Sequence, residues 1–349
     1  MHQTEDFIYS EKFELESGEY LPGFRLRFTT YGRLNEARDN VIWICHALTA
    51  NANFMDWWNG LFGKDKLYDP EKYYIICANM PGSCYGSTGP LSINPESGQP
   101  FYHDFPQLTN RDMVRTFDLL RQYLDITRIH TVIGGSLGGQ HALEWAIMQA
   151  DKIQHLIQLC SNAQHSAWGI AFNESQRMAI ENDPSWKENH PEAGLQGMRT
   201  ARGIALLSYR HYRTYQKTQA ETTNDKLDTY RASSYQQYQG DKLARRFNAY
   251  SYWILSKAMD SHNVGRDRGT VIHALEKIRA HALFLGVSTD LLFPVNEQEF
   301  LARHVAGAQL SVVDSDYGHD GFLIEVDALS NEIRHFYTRV KHKPLVSQS

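Results

Sequence analysis

Residues Thr131 to Trp145 read TVIGGSLGGQHALEW: a β-branched run, a serine between two glycine pairs, then a run of helix formers. That order confines the segment to a strand, a sharp turn and a helix folded back on the strand. β-branched residues suit strands, and a turn so tight needs neighbours without side chains. Gly134, Gly138 and Gly139 supply them. Glycine-serine turns before helices also serve as simple N-caps or phosphate cradles. Here no Lys follows to make a P-loop, and the spacing misses G-x-G-x-x-G. Gly134-Gly135-Ser136-Leu137-Gly138 instead fits G-x-S-x-G, the turn that lifts a nucleophilic serine above a parallel sheet.

The rest of the chain agrees with a parallel sheet. FRLRFTTYG, NVIWICHAL, KYYIICANM, IHTVIGG, IQHLIQLC, HALFLGV and QLSVVDSD are β-rich, and several are apolar throughout, as strands buried on both faces are. Helical patterns lie between them: TNRDMVRTFDLLRQYL after a Thr109 or Asn110 cap, GGQHALEWAIMQA, and EVDALSNEIRHFYTRV. Alternating strand and helix predict a doubly wound, mostly parallel α/β sheet. The rhythm stops after Cys160 and resumes at His281, with a polar, Tyr- and Gln-rich, mostly helical stretch between. The expected organisation is an α/β core over 1–164 and 267–349, interrupted by a helical lid over 165–266.

With 35 Lys and Arg against 40 Asp and Glu, the chain is too acidic and too evenly charged to track phosphates, so nucleic acid is not expected as a partner. The first twenty residues lack the basic-then-apolar layout of a signal peptide, and no apolar run approaches the roughly 18 residues of a membrane span. A cytoplasmic protein with no membrane partner is expected. The four cysteines lack the paired spacing of a zinc site, and the sixteen histidines form no H-E-x-x-H or clustered pattern, so no metal is expected.

A serine hydroxyl needs a base, and the base needs a third group to orient it. In a sheet of this kind the order is Ser, acid, His, with the last two on loops after late strands. HALFLGVSTDLLFP puts Asp290 just past one strand, and QLSVVDSDYGHDGF puts His319 just past the next. Asp314 and Asp316 compete for the acid role but share a loop with His319, where reaching its far nitrogen is awkward. His141 lies on the helix that Ser136 opens and reads as a packing or surface residue. An oxyanion hole would draw one N–H from Leu137 and the other from Leu48, in the turn of VIWICHALTANA. His46 in that turn is either a supporting, hydrogen-bonded histidine or a chemical participant.

To this point the residues specify acyl chemistry on a serine without choosing among esterase, lipase, peptidase and acyltransferase. Longer stretches narrow it. CHALTANANFMDWWNGLFG, CANMPGSCYGSTGPLSINPESGQPFYHDFPQLTNRDMV, GGSLGGQHALEWA, IAFNESQRMAI, QYQGDKLARRFNAYSYWILSKAMD and YGHDGFLIE closely resemble the homoserine O-acetyltransferase family of the α/β-hydrolase superfamily, over nearly the whole chain. The resemblance implies an α/β-hydrolase fold and ping-pong transfer of an acetyl group from acetyl-CoA, a co-substrate rather than a bound cofactor, to the side-chain hydroxyl of L-homoserine on the way to methionine. It implies Ser136 as nucleophile, Asp290 and His319 as its partners, Arg202 and Tyr209 of the lid at the substrate, and Asp320 at the substrate ammonium. It also implies a homodimer, expected to form through the lid. Pro81-Gly82-Ser83-Cys84 departs from the Leu-Gly-Gly-Cys of many family members, which keeps succinyl-CoA as donor and serine as acceptor as near alternatives. A carboxylesterase using water is the more distant one.

Overall fold

The computed structural model describes residues 2–223 and 225–341; Met1, Asn224 and residues 342–349, which the predicted core and lid segments include, lie outside the described residues. The strands are β1 (His2–Tyr9), β2 (Phe13–Glu14), β3 (Tyr20–Leu21), β4 (Phe24–Tyr31), β5 (Val41–Cys45), β6 (Tyr74–Ala78), β7 (Ile129–Gly135), β8 (Ile153–Leu159), β9 (His281–Val287) and β10 (Gln309–Val313). Eight of them form one sheet in the order β1-β4-β6-β5-β7-β8-β9-β10, and β2 pairs only with β3. From β6 to β10 the pairing is parallel; β4 joins β6, and β1 joins β4, antiparallel.

The seven β-rich runs of the sequence become β4 to β10. In β5 all five side chains are buried, because Val41, Trp43 and Cys45 enter the core on one face of the sheet while Ile42 and Ile44 enter the core on the other. Strand order reverses beside β5, with β6 on one flank and β7 on the other, so the loops leaving β5 and β7 diverge at one point of the sheet edge. Such switch points form crevices at the carboxyl ends of strands.

The helices are α1 (Phe54–Trp57), α2 (Asn110–Tyr123), α3 (Leu137–Met148), α4 (Ala167–Glu181), α5 (Leu195–Tyr209), α6 (Tyr212–Gln219), α7 (Arg231–Ala244), α8 (Ala249–Asp260), α9 (Val271–Leu275), α10 (Val295–His304), α11 (Gly321–Ile324) and α12 (Val326–Val340). Thr109 caps α2 through a reciprocal box with Asp112. Helix α3 is buried almost all round, and Trp145 on it meets Trp43 edge-on at 4.7 Å between ring centres. Helices α4 to α8 all fall between β8 and β9. The return to the sheet is fastened by ion pairs from Arg266 to Glu16 at 2.8 Å and from Arg268 to Glu144, with Arg111 bridging the two acids.

Candidate active site

Ser136 sits between β7 and α3 with φ 58° and ψ −126°, a left-handed conformation that costs a non-glycine residue about 1–3 kcal/mol. Its neighbours explain how the turn closes. A Cβ on Gly134 would lie 2.2 Å from the Gly138 carbonyl oxygen, and one on Gly138 would lie 2.0 Å from that of Cys45. Only hydrogen fits at either place. The turn is then held by hydrogen bonds from the Ser136 amide to Leu159 O at 3.0 Å and from Ser161 Oγ to Ser136 O at 2.8 Å.

Two later strands bring the acid and the base. Asp290 follows β9 and His319 follows β10, both at most 4 % exposed. His319 Nδ1–H donates to Asp290 Oδ2 at 2.7 Å, while Asp290 Oδ1 accepts from the amides of Leu292 at 2.8 Å and Phe293 at 2.9 Å. With both carboxylate oxygens engaged, the imidazole has one tautomer to adopt, and its Nε2 keeps a free lone pair. The rings of Phe322, Phe293 and Tyr209 surround the imidazole with centres 5.2, 5.3 and 5.7 Å away. The competing acids are occupied elsewhere: Asp314 accepts from Ser288 Oγ at 2.7 Å, and Asp316 pairs with Arg213. The Cys160 thiol, unassigned from sequence, is within 4.8 Å of both Asp290 and His319, and its burial, with the carboxylate beside it, raises its pKa well above the usual thiol range. These three ligand-type groups are close enough to hold an ion, yet the imidazole and carboxylate are bonded to each other, which is the arrangement of an acid-base relay.

The turn after β5 faces the serine. Ala50 N–H donates to Ala47 O at 3.0 Å, leaving Leu48 and Thr49 as its central residues. The Leu48 N–H shares its peptide plane with the Ala47 carbonyl, which also accepts from His46 Nδ1 at 2.9 Å. His46 Nε2 accepts in turn from the Met80 amide at 3.1 Å, and burial lowers the pKa of the ring to about 4. His46 is therefore a neutral strut that sets the plane of the Leu48 amide, the supporting one of its two expected roles. Leu137 opens α3, where an amide has no intrahelical acceptor. His141 is fully buried, and neither ring nitrogen has a hydrogen-bond partner among the described residues.

A cavity of about 530 Å³ joins these parts: Ser136, His319, Leu48, Arg202, Tyr209 and Asp320 all line it. Arg202 and Tyr209, seven apart on α5, share a face as expected, with the guanidinium 5.4 Å from the ring centre. Of the arginines nearby, Arg199 pairs with Asp241 and Arg210 with Asp320, its Nε 2.6 Å from Oδ2. Among the described residues no carboxylate pairs with Arg202. Asp320 precedes α11 but makes no side-chain cap bond. Ser83, from the divergent loop, does not line this cavity; it is buried, its hydroxyl unpartnered among the described residues, beside a neighbouring cavity of about 620 Å³. Arg210, Lys242, on α7, and Arg246, just beyond it, also line the wall and were not singled out from the sequence. Nothing in the local pattern of Arg210 and Arg246 marks them, because their partners, Asp320 and Thr49 O, are far away along the chain.

Residues 40–326 match the α/β-hydrolase-fold family. A protein named homoserine O-acetyltransferase from Cyclobacterium marinum is 52% identical over 97% of this chain and 96% of its own length. Among solved structures, a homoserine O-acetyltransferase from Bacillus anthracis superposes with a TM-score of 0.90 over 99% of both chains at 24% identity. Esterase E22 superposes at 0.87 over 96% of this chain and 100% of its own, at 23% identity. Likenesses at that level of identity speak to the fold.

Proposed function

The chain belongs to the homoserine O-acetyltransferase family of α/β-hydrolase-fold proteins, and from that membership we propose that it moves an acetyl group from acetyl-CoA to the side-chain hydroxyl of L-homoserine, a step toward methionine. One observation carries the reading to this chain: the cavity that holds Ser136 and His319 also presents a guanidinium, Arg202, with no carboxylate partner among the described residues, and a carboxylate, Asp320. A zwitterionic amino acid needs one of each, and an ester hydrolysed by water needs neither.

In the first half-reaction His319 Nε2 takes the Ser136 proton as Oγ attacks the thioester carbonyl. The Leu48 and Leu137 amides hold the resulting oxyanion, and the C–S bond breaks as the CoA sulfur takes the proton from His319. In the second, the homoserine hydroxyl gives its proton to His319 and attacks the acetyl carbonyl. The bond to Ser136 Oγ breaks, and the serine recovers its proton. Asp290 keeps Nδ1 protonated through both halves. Arg202 would take the substrate carboxylate, Tyr209 would shape the same wall, and Asp320 would hold the ammonium with whichever carboxylate oxygen Arg210 leaves open. Helices from 165–266 act as a lid, whose purpose is to favour homoserine over water. The protein works in the cytoplasm as a homodimer packed through that lid, where Leu207, Tyr212 and Tyr238 are more than half exposed.

The test is thiol release with acetyl-CoA and succinyl-CoA crossed against homoserine, serine and water. Release with acetyl-CoA should depend on homoserine and vanish in Ser136→Ala. Arg202→Ala should raise the homoserine KM at least tenfold and spare the acylation burst, and equal loss of both half-reactions would overturn its role.

A further inference from the structure

From the contacts of one lid arginine we infer that Arg246 is a positioning residue for the oxyanion turn, clamping it from the lid side while His46 clamps it from the core. Arg246 lies just past the end of α7, and its amide closes that end by donating to Leu243 O at 3.0 Å. Its Nη1 donates to Thr49 O at 2.6 Å and also to the Tyr85 hydroxyl. Its own carbonyl faces Cys84 Sγ at 3.6 Å. One residue therefore fastens the lid to the turn after β5 and to the loop after β6.

The turn has two central residues, Leu48 and Thr49. The peptide carrying the Leu48 N–H is fixed through Ala47 O by His46 and the Ala50 amide. The His46 bond anchors the incoming end of the turn, and the Ala50 bond ties the outgoing end to it. The outgoing end has its carbonyl, Thr49 O, held by Arg246 across 197 residues of chain. A turn closed by its own hydrogen bond and anchored to the rest of the molecule at one end can still swing about that anchor, and a second anchor at the other end stops it. An oxyanion donor misplaced by an ångström loses much of its effect, so a clamp on the turn is a clamp on catalysis. Arg246 also lines the cavity, and its charge has no carboxylate partner among the described residues, so a contact to the phosphates of an acyl-CoA is the competing role.

An acyl donor without CoA separates the two. With p-nitrophenyl acetate, Ser136 Oγ attacks the ester carbonyl, p-nitrophenolate leaves, and the burst reports both quantities needed. Its amplitude counts folded, active sites and its rate constant reads the oxyanion turn, so a partly misfolded variant remains informative. In Arg246→Ala the burst rate constant should fall about tenfold, with partial recovery in Arg246→Lys and a smaller fall in Tyr85→Phe. An unchanged rate constant with p-nitrophenyl acetate, together with a raised KM for acetyl-CoA, would overturn the clamp and leave a phosphate contact. The inference rests on Ser136 as nucleophile, and Ser136→Ala distinguishes the failures. A burst that survives it removes the whole reading of the site, whereas a burst unaffected by Arg246→Ala removes only this role.

Discussion

Asp290 has three hydrogen bonds to accept, two from backbone amides and one from His319, and that division predicts what its replacement does. In Asp290→Asn the side-chain oxygen can still receive the Leu292 and Phe293 amides, so the loop keeps its shape. The amide NH₂ then faces His319 Nδ1, which must turn acceptor, and the proton moves to Nε2, where a base is needed. The acylation rate constant should fall by roughly 10⁴-fold with the melting temperature nearly unchanged; stopped-flow thiol release and a thermal melt check both. A loss below tenfold would mean that Asp290 is not the orienting acid. Ser136, Asp290 and His319 were legible in the sequence because each follows a recognisable strand and the order is constrained. Arg246 and the neutral state of His46 were not, since the first depends on which distant carbonyl faces the side chain and the second on how deeply the fold buries the ring.

At the level of elements, legibility followed burial. Strands β5 to β9 are almost wholly buried because the sheet is covered on both faces there, and all five could be read; β4 and β10, which expose part of their side chains, could be read from their β-rich composition. Strand β1 could not: of its eight residues only Phe7 is buried, so no alternation marks it, and its pairing is dictated by the free edge of β4. Within the stretch expected to be mostly helical, GLQGMRTARGIALLSYRHYRTY divides into α5 and α6 at Arg210, where the backbone turns extended and His211 caps the next helix by accepting from the Arg213 amide. The break turns Arg210 toward Asp320, which a continuous helix would not. Helix α2 is a case where local signals were sufficient. Its cap has two reciprocal bonds, Asp112 N–H to Thr109 Oγ1 at 3.2 Å and Thr109 N–H to Asp112 Oδ2 at 3.0 Å. Thr109→Ala removes the first of these together with the hydroxyl's bond to Glu16 Oε2, and should cost about 2 kcal/mol, lowering the melting temperature by about 3 °C. Thr109 does not line the cavity, so the KM for homoserine should not move; a changed KM would show that α2 bears on the site.

Across the whole molecule a set of buried histidines is held neutral by the fold, and that set fixes its acid limit. Burial lowers the pKa of His46 and His130 to about 4 and of His155, His165 and His262 to about 3, against 6.5 for a free imidazole. Above pH 6.5 neither the folded nor the unfolded chain protonates these rings, and they add nothing to the pH dependence of stability. Below it the unfolded chain binds protons that the folded chain refuses until pH 4 or 3, so stability falls with pH across that window. Each ring contributes up to about 1.4 kcal/mol per pH unit. Three carboxyls pushed up by burial, Asp112, Asp260 and Glu297, work in the opposite sense, but the five imidazoles outnumber them. A typical reserve of about 5–15 kcal/mol is then consumed within a few pH units below 6.5. Thermal melts at pH 7.5, 6.5, 5.5 and 4.5 should give a nearly level melting temperature between the first two and a steep fall thereafter. His262 is the ring to remove, since it is buried and its Nε2 lies 3.2 Å from the carbonyl of Asn162, away from the cavity. In His262→Gln the proton uptake on unfolding at pH 5 should drop by about one. A melting temperature that stays level from pH 7 to 5 would mean that these rings are protonated in the folded protein, and that the neutral tautomer assigned to His46 beneath the oxyanion turn is wrong with them.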